Sequence, residues 1–250
     1  VSANGLYLKT EKGQKLLDFS SQTLNLNFGQ RHPMVLKAVR EYLAVAPTFL
    51  SSRFNNPEMT SLANLLIKVG PKELSMVNLK LSNGSDANES ALKRARTFRK
   101  KQYIVSYRYS HLGESSETIQ ASGNSSSKTY IGGSNNFLFI DPQFLTCKHP
   151  LTKSCSTVCV SHLQKLFQSR KDIAGIILEP IMVNAGAYGF TSSYLTLLRQ
   201  LCDRYNISLI FDEVQTAFGW TGEYFECQKL GVIPDLLTIG KGLAAGFPLA

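Results

Sequence analysis

Short apolar runs alternate with amphipathic stretches of helical length along most of this chain. That alternation restricts the fold to a parallel β-sheet covered on both faces by helices. The apolar runs are "SMVNLKL" (75–81), "QYIVSY" (102–107), "NNFLFI" (135–140), "AGIILE" (174–179), "ISLIF" (207–211) and "LLTIG" (236–240). Helices are predicted over 33–43, 58–69, 86–100, 160–170 and 193–205. In the last of these, Leu195, Leu198 and Cys202 recur at the helical period, and Leu197 and Leu201 widen the stripe. The expected class is therefore α/β, a mostly parallel sheet with helices on both faces. Polar stretches at 122–136 and 146–157 are the strongest loop signals, and no internal repeat is present.

Composition narrows the function classes. A chain of 250 residues, 43% of them hydrophobic, can bury a substantial core. No stretch reaches the roughly 18 consecutive apolar residues of a membrane span, and "VSANGLYLKTEKG" lacks the apolar centre of a signal peptide, so a cytoplasmic protein with no membrane partner is expected. Five cysteines, Cys147, Cys155, Cys159, Cys202 and Cys227, are an odd number in a chain too long to need disulfide staples, and reduced thiols are the simpler reading. The net charge of +9 is densest in "KRARTFRKKQ" (93–102). That run continues a helical pattern from Ala91 and carries no nucleic-acid signature, so it reads as a solvated helix face and no nucleic-acid partner is expected. Cys147, His149, Cys155, Cys159 and His162 lie close together, but their spacing is not a zinc pattern, and no metal is expected.

Ligands of open parallel sheets sit outside the carboxyl ends of the strands. Three predicted strands end there in an ionisable residue: "IIL" runs into Glu179, "ISLIF" into Asp212 and "LLTIG" into Lys241. Each alone reads more readily as a polar strand terminus, and together they are harder to dismiss. Lys241, however, stands among glycines and apolar residues in "TIGKGLAAGFP". Desolvation there would lower its pKa toward what a Schiff-base nucleophile needs. An anion site is the remaining part. In "LKLSNGSDANESALKRAR" an apolar run passes through Ser82, Asn83, Gly84 and Ser85 into a helix. Gly84 permits close backbone approach, and free N–H groups at a helix start bind phosphate. An ordinary capping box with Ser85 or Asp86 as cap and Glu89 behind it is the competing explanation. Gly240, Gly242 and Gly246 do not make a dinucleotide fingerprint, and Gly242 after Lys241 excludes a P-loop. Phosphate cradle, amine and carboxylate are the parts that pyridoxal 5′-phosphate requires.

These residues carry a resemblance. Residues 209–248 are similar to the signature region of class III aminotransferases, fold type I pyridoxal-phosphate enzymes that include ornithine, 4-aminobutyrate, diaminobutyrate and lysine aminotransferases. "NGLYLKTEKGQKLLDF" resembles the family's N-terminal hairpin, "FGQRHPMVLKAV" its glycine-histidine-proline turn, "SNGSDANESALKRAR" its phosphate loop and "IILEP" its glutamate-proline strand end. "FDEVQTAFGWTG" and "PDLLTIGKGLAAGFP" follow in the family's order.

The resemblance implies a homodimeric aminotransferase that moves an amino group from an amine or amino acid to a 2-oxo acid through a Schiff base on Lys241. It implies that residues 1–32 are an N-terminal segment of the small domain and 33–250 the large pyridoxal-phosphate domain. That domain would be incomplete at its C-terminus, with the C-terminal small domain absent. By the same resemblance, Asp212 pairs with the pyridine nitrogen, Gln215 contacts the ring hydroxyl, and Gly84 and Ser85 hold the phosphate. Glu179 supports the ring-facing polar network. Lys241 is the covalent anchor and then the acid and base. His111, in "SHLGES", stands where the family carries the aromatic that stacks on the cofactor. Imidazole can stack, and a lone histidine is as often structural. Asn184 replaces a glutamate of several ω-aminotransferases, and Trp220 replaces an arginine, with core packing and substrate contact both open for it. A racemase or aminomutase of the same family, or a non-catalytic truncated relative, are the alternatives.

Overall fold

Adjacent residues of a β-strand face opposite ways, and in the centre of this chain both directions are apolar. Ile104, Ile177 and Ile210 share one buried cluster with Ala91, Leu92 and Ala95. Their strand neighbours Val105, Ile176, Leu178, Leu209 and Phe211 belong to a second cluster with Leu163, Phe167, Leu195, Leu198 and Cys202. A sheet so filled must be covered by helices on both faces.

The computed structural model describes residues 1–250 except 48, 52, 124–135 and 143–152, and gives the backbone alone for 153–156. An antiparallel meander opens the chain: β1 (Ser2–Asn4), β2 (Tyr7–Lys9) and β3 (Lys15–Leu17). Helices α1 (Pro33–Val45), α2 (Pro57–Val69) and α3 (Gly84–Arg99) follow. Then come β4 (Tyr103–Tyr107), α4 (Ser116–Ala121), β5 (Phe137–Ile140), α5 (Lys153–Ser169) and β6 (Ile173–Leu178). A short hairpin of β7 (Ile181–Met182) and β8 (Tyr188–Gly189) leads to α6 (Ser192–Tyr205). Strand β9 (Ser208–Asp212), helix α7 (Glu226–Leu230) and strand β10 (Leu236–Thr238) complete the order.

The central sheet has five strands in the order β10-β9-β6-β4-β5, and all of its described pairings are parallel. From β4 the chain steps outward to β5 and then returns to the other side of β4 as β6. The order therefore reverses between β4 and β6, and the carboxyl ends of those strands flank a crevice of the kind where such sheets bind ligands.

Local chemistry sets the helix starts. The Asn56 side chain accepts from Met59 N–H ahead of α2, Asn83 accepts from Asp86 N–H at α3, and Thr191 accepts from Tyr194 N–H at α6. Lys100 and Asn206 close α3 and α6 in the left-handed conformation.

Two expectations need correction. The run 75–81 is no strand, although its residues are apolar enough for one. A strand exists only where a neighbour completes its ladder. Here a cavity of about 380 Å³, lined by Leu74, Val77, Leu79, Leu236 and Leu237, separates the run from β10. Ala250 N–H donates to the Leu81 carbonyl at its far end (2.9 Å). The loop expected over 146–157 is also too long, because α5 already begins at Lys153. The other predicted loop, 122–136, falls mostly outside the described residues, as do Cys147 and His149. Among the described residues no helix is long and apolar enough to cross a membrane.

Candidate active site

Six of the residues singled out in the sequence, Gly84, Ser85, His111, Asp212, Gln215 and Lys241, line one cavity of about 240 Å³ at the carboxyl ends of the central strands. The seventh, Glu179, lies just behind it. One Glu179 carboxylate oxygen accepts from the backbone N–H of His111 (2.8 Å), and the other accepts from the Gln215 side-chain amide (3.3 Å). The loop after β4, the end of β6 and the turn after β9 are thus joined across the switch point by one buried carboxylate.

The start of α3 forms one side of the cavity. Asn83 caps the helix through Asp86 N–H, and the first helical bond runs from Ala87 N–H to the Asn83 carbonyl. The N–H groups of Gly84 and Ser85 precede any intrahelical acceptor and remain available to a ligand. The capping box expected there is not formed: Asn83 is the cap rather than Ser85 or Asp86, and the Glu89 carboxylate accepts instead from Ser115 Oγ (2.6 Å) and Glu117 N–H (2.9 Å). A Cβ at Gly84 would lie 2.8 Å from a methyl of Val214, so the helix start must be glycine to reach this depth. Gly113 closes the same end. It has φ +130°, and a Cβ there would lie 2.5 Å from Ser85 Oγ and 2.6 Å from Thr118 Oγ1. Ser85 Oγ also accepts from Glu114 N–H (3.1 Å), which ties the 110–114 loop to the helix start. Gly113→Ala is therefore expected to destabilise the protein by on the order of 2 kcal/mol, measurable by urea unfolding.

Burial dominates the electrostatics. Asp212 is 5% exposed, and desolvation pushes its carboxyl up to about 6 against the opposing hydrogen bonds from Val214 N–H and Asn88. Glu179 is raised to about 8, first by burial and then by the Asp212 charge. Burial lowers Lys241 from the usual lysine range, against the pull of Asp212 and Glu179. Burial also lowers His111, with Glu114 opposing it and Lys241 reinforcing it. Lys241 follows an extended Gly240 and has φ +42°, a left-handed conformation that is costly for a residue with a Cβ.

A testable consequence follows for the ligand-free protein. Glu179 has a folded pKa raised above the unfolded value of 4.5, so its neutral form favours folding. That contribution is complete below pH 4.5 and is lost as pH rises through about 8. Glu179→Gln removes the titration, and its advantage over the parent protein should grow across this window to on the order of a few kcal/mol. Urea unfolding of both proteins at pH 5 and pH 9 checks it, and equal differences at the two values would contradict the sign.

The sequence reading missed two members of the site. Asn88 donates to Asp212 Oδ2 (2.6 Å), and Thr238 donates to Asn88 Oδ1 (2.6 Å). The spacing held a clue, because Asn88 stands three and four residues after Ser85 and Gly84 and so shares their helix face. Glu213 turns the other way from its neighbour Asp212. It is fully buried, and its carboxylate accepts from Glu226 N–H (2.6 Å), Cys227 N–H (2.8 Å) and Thr216 Oγ1 (3.1 Å), holding the start of α7. Trp220 is 38% exposed and belongs to neither apolar cluster, which removes core packing as its explanation. Asn184 is exposed in the turn between β7 and β8.

Comparison with known proteins agrees with this geometry. The chain is 31% identical over 258 residues to adenosylmethionine-8-amino-7-oxononanoate aminotransferase of Buchnera aphidicola subsp. Schizaphis graminum, covering 98% of the chain and 58% of that protein. It is 33% identical over 245 residues to the 5-aminovalerate aminotransferase of Pseudomonas putida, covering 96% of the chain and 56% of that protein. Among solved structures, an amine transaminase from an uncultivated Pseudomonas species in its PLP-bound form superposes with a TM-score of 0.92 at 28% identity. That match covers 100% of this chain and 59% of the other. The chain thus spans less than two thirds of the length of these relatives. The family model described as "Aminotransferase class-III" matches residues 1–250. The β-sheet, the switch-point cavity and this match agree, and the chain belongs to the class-III aminotransferase family.

Proposed function

We propose that the protein is a pyridoxal-phosphate-dependent aminotransferase that moves an amino group from an amine or amino acid to a 2-oxo acid. The observation that carries the reading is the convergence of a buried carboxylate, a desolvated lysine and an open helix start on one cavity of about 240 Å³. The donor set fits the cofactor. Asp212 is a buried carboxylate suited to a cationic ring nitrogen, Lys241 is an amine held away from bulk water, and the first turn of α3 offers N–H groups to a phosphate.

When bound, pyridoxal phosphate supplies an aldehyde for exchange with amines and a ring that withdraws electrons when its nitrogen is protonated. The chain's own residues do the rest. Gly84 and Ser85 hold the phosphate through N–H and hydroxyl groups. Asp212 keeps the proton on the ring nitrogen. Gln215 and His111 line the same cavity and would hold the ring, Gln215 at its hydroxyl and His111 against its face. Glu179 steadies both by accepting from the Gln215 amide and the His111 N–H. The Lys241 amine anchors the cofactor covalently. Freed from that role, the Lys241 amine would serve as the acid and base beside the bound substrate.

A homodimer in the cytoplasm belongs to the same reading. Phe19, Met34, Leu43 and Phe49 are exposed near the N-terminal end, which supports a surface covered by another protein chain; sedimentation of the full-length protein tests it. The function itself is tested by borohydride reduction of the full-length protein with pyridoxal phosphate, followed by peptide mass mapping. A pyridoxyl adduct on Lys241, together with consumption of a 2-oxo acid, is the expected result. A folded protein without the adduct would overturn the reading.

A further inference from the structure

We propose that Asn88, held by Thr238, is a positioning residue that keeps Asp212 ionised and aimed into the cavity. The inference rests on reading that cavity as a pyridoxal-phosphate site. It adds to that reading a pair of residues that act through Asp212, one of them, Asn88, on the cavity lining.

Asn88 is 1% exposed on α3, and all of its amide atoms are engaged. Its Nδ2 group donates one hydrogen to the Leu112 carbonyl (2.7 Å) and the other to Asp212 Oδ2 (2.6 Å). Its Oδ1 accepts from the Thr238 hydroxyl (2.6 Å). The partners dictate this orientation. A reversed amide would set its oxygen against two acceptors, the Leu112 carbonyl and the Asp212 carboxylate. Thr238 has a single hydroxyl hydrogen, and the Phe211 carbonyl at 3.5 Å competes poorly with Asn88 for it. A directional chain therefore runs from Thr238 to Asn88 to Asp212. Its origin is well placed, since Thr238 is the register partner of Asp212 on the adjacent strand.

The other carboxylate oxygen, Asp212 Oδ1, accepts from Val214 N–H (3.0 Å). Each oxygen thus accepts from a fixed donor, and both hydrogen bonds are stronger to the ionised carboxylate than to its neutral form. This opposes the desolvation of a nearly buried group. The charged and titratable neighbours do not replace it. Lys241 favours the ionised form, Glu213 and Glu179 disfavour it, and His111 shares the cavity. An amide has a further advantage over a cation at this position. An Arg or Lys in contact with Asp212 would neutralise the charge that the ring nitrogen needs, whereas Asn88 orients the carboxylate and leaves its charge free.

The test uses the full-length protein, labelled with ¹³C at aspartate carboxyls and stripped of cofactor. The Asp212 signal is identified by its loss in Asp212→Asn. The Asp212 titration, with its midpoint at about 6 in the parent protein, is expected to move upward by roughly one pH unit or more in Asn88→Val. Thr238→Val should move it the same way by less, because the amide loses its fixed orientation. Thr238→Ser should restore the parent midpoint. In the cofactor-loaded protein, Asn88→Val should bind pyridoxal phosphate roughly tenfold more weakly while still giving the borohydride adduct on Lys241. An unmoved midpoint in either valine variant, with circular dichroism and cooperative unfolding intact, overturns the proposal; if Asn88→Val does not fold, Thr238→Val decides. Failure of the cofactor reading looks different. It is the absence of a Lys241 adduct in the parent protein, whatever the carboxyl titrations show.

Discussion

Lys241→Ala is expected to abolish covalent attachment of pyridoxal phosphate and to lower turnover by at least roughly 10²–10⁴-fold, the range contributed by one positioned acid–base group. The lysine combines two tasks that no neighbour can take over. Asp212 lines the cavity and Glu179 lies behind it, both as carboxyl groups with no amine to offer, and His111 is an imidazole whose proton affinity burial has lowered. Removing the amine should leave the phosphate cradle and the ring contacts intact, because Gly84, Ser85 and Asp212 are held by α3 and β9 rather than by the Lys241 turn. Equilibrium dialysis should therefore still detect cofactor, while absorbance and intact mass after borohydride show no adduct. Undiminished turnover in this variant would remove the central role assigned to Lys241.

Asp212→Asn should retain cofactor yet lose about 4 kcal/mol of transition-state stabilisation, roughly 10³-fold in rate. The replacement keeps the shape of the side chain and can still accept from Val214 N–H. It removes the charge that holds the ring nitrogen protonated. It also sets a second amide against Asn88, whose donor then loses its acceptor unless the new group turns over. Steady-state rates with the adduct on Lys241 confirmed by mass separate lost chemistry from lost cofactor, and parent-like turnover would refute the assignment. The ligand-free variant should move in the opposite sense. Asp212 has a folded pKa of about 6 against 3.8 for the free side chain. Its neutral form therefore favours folding, and the parent protein loses that contribution as pH rises through 6. The variant should gain stability relative to the parent over the same window.

The strands at the centre of the sheet were legible in the sequence because burial on both faces leaves near-continuous apolar runs at 102–107, 174–179 and 207–211. The run 75–81 has the same look, and nothing local reveals that the described residues offer it no ladder. Pairing is a property of two segments, and one segment cannot announce it. The site followed the same division. Glu179, Asp212 and Lys241 stand out because an ionisable residue interrupts apolar surroundings. Asn88 lies inside an ordinary polar helix start and Thr238 inside a strand where threonine is common, so neither interrupts anything. Their significance arises when α3 and β10 bring both against Asp212. Glu213 is the reverse case. It stands next to Asp212 just past the end of β9, and only the folded structure shows that its carboxylate turns to the start of α7.

That difference matters to anyone diversifying the protein. The buried Glu213 carboxylate gathers three donors and fastens the beginning of α7 to the end of β9. A mutant library that randomises 212 and 213 together would mix two unrelated phenotypes, altered chemistry through one acid and a loosened 213–226 turn through the other. Clones lost to misfolding would then be scored as catalytic failures. Holding Glu213 constant while varying 212 keeps the screen a measurement of chemistry.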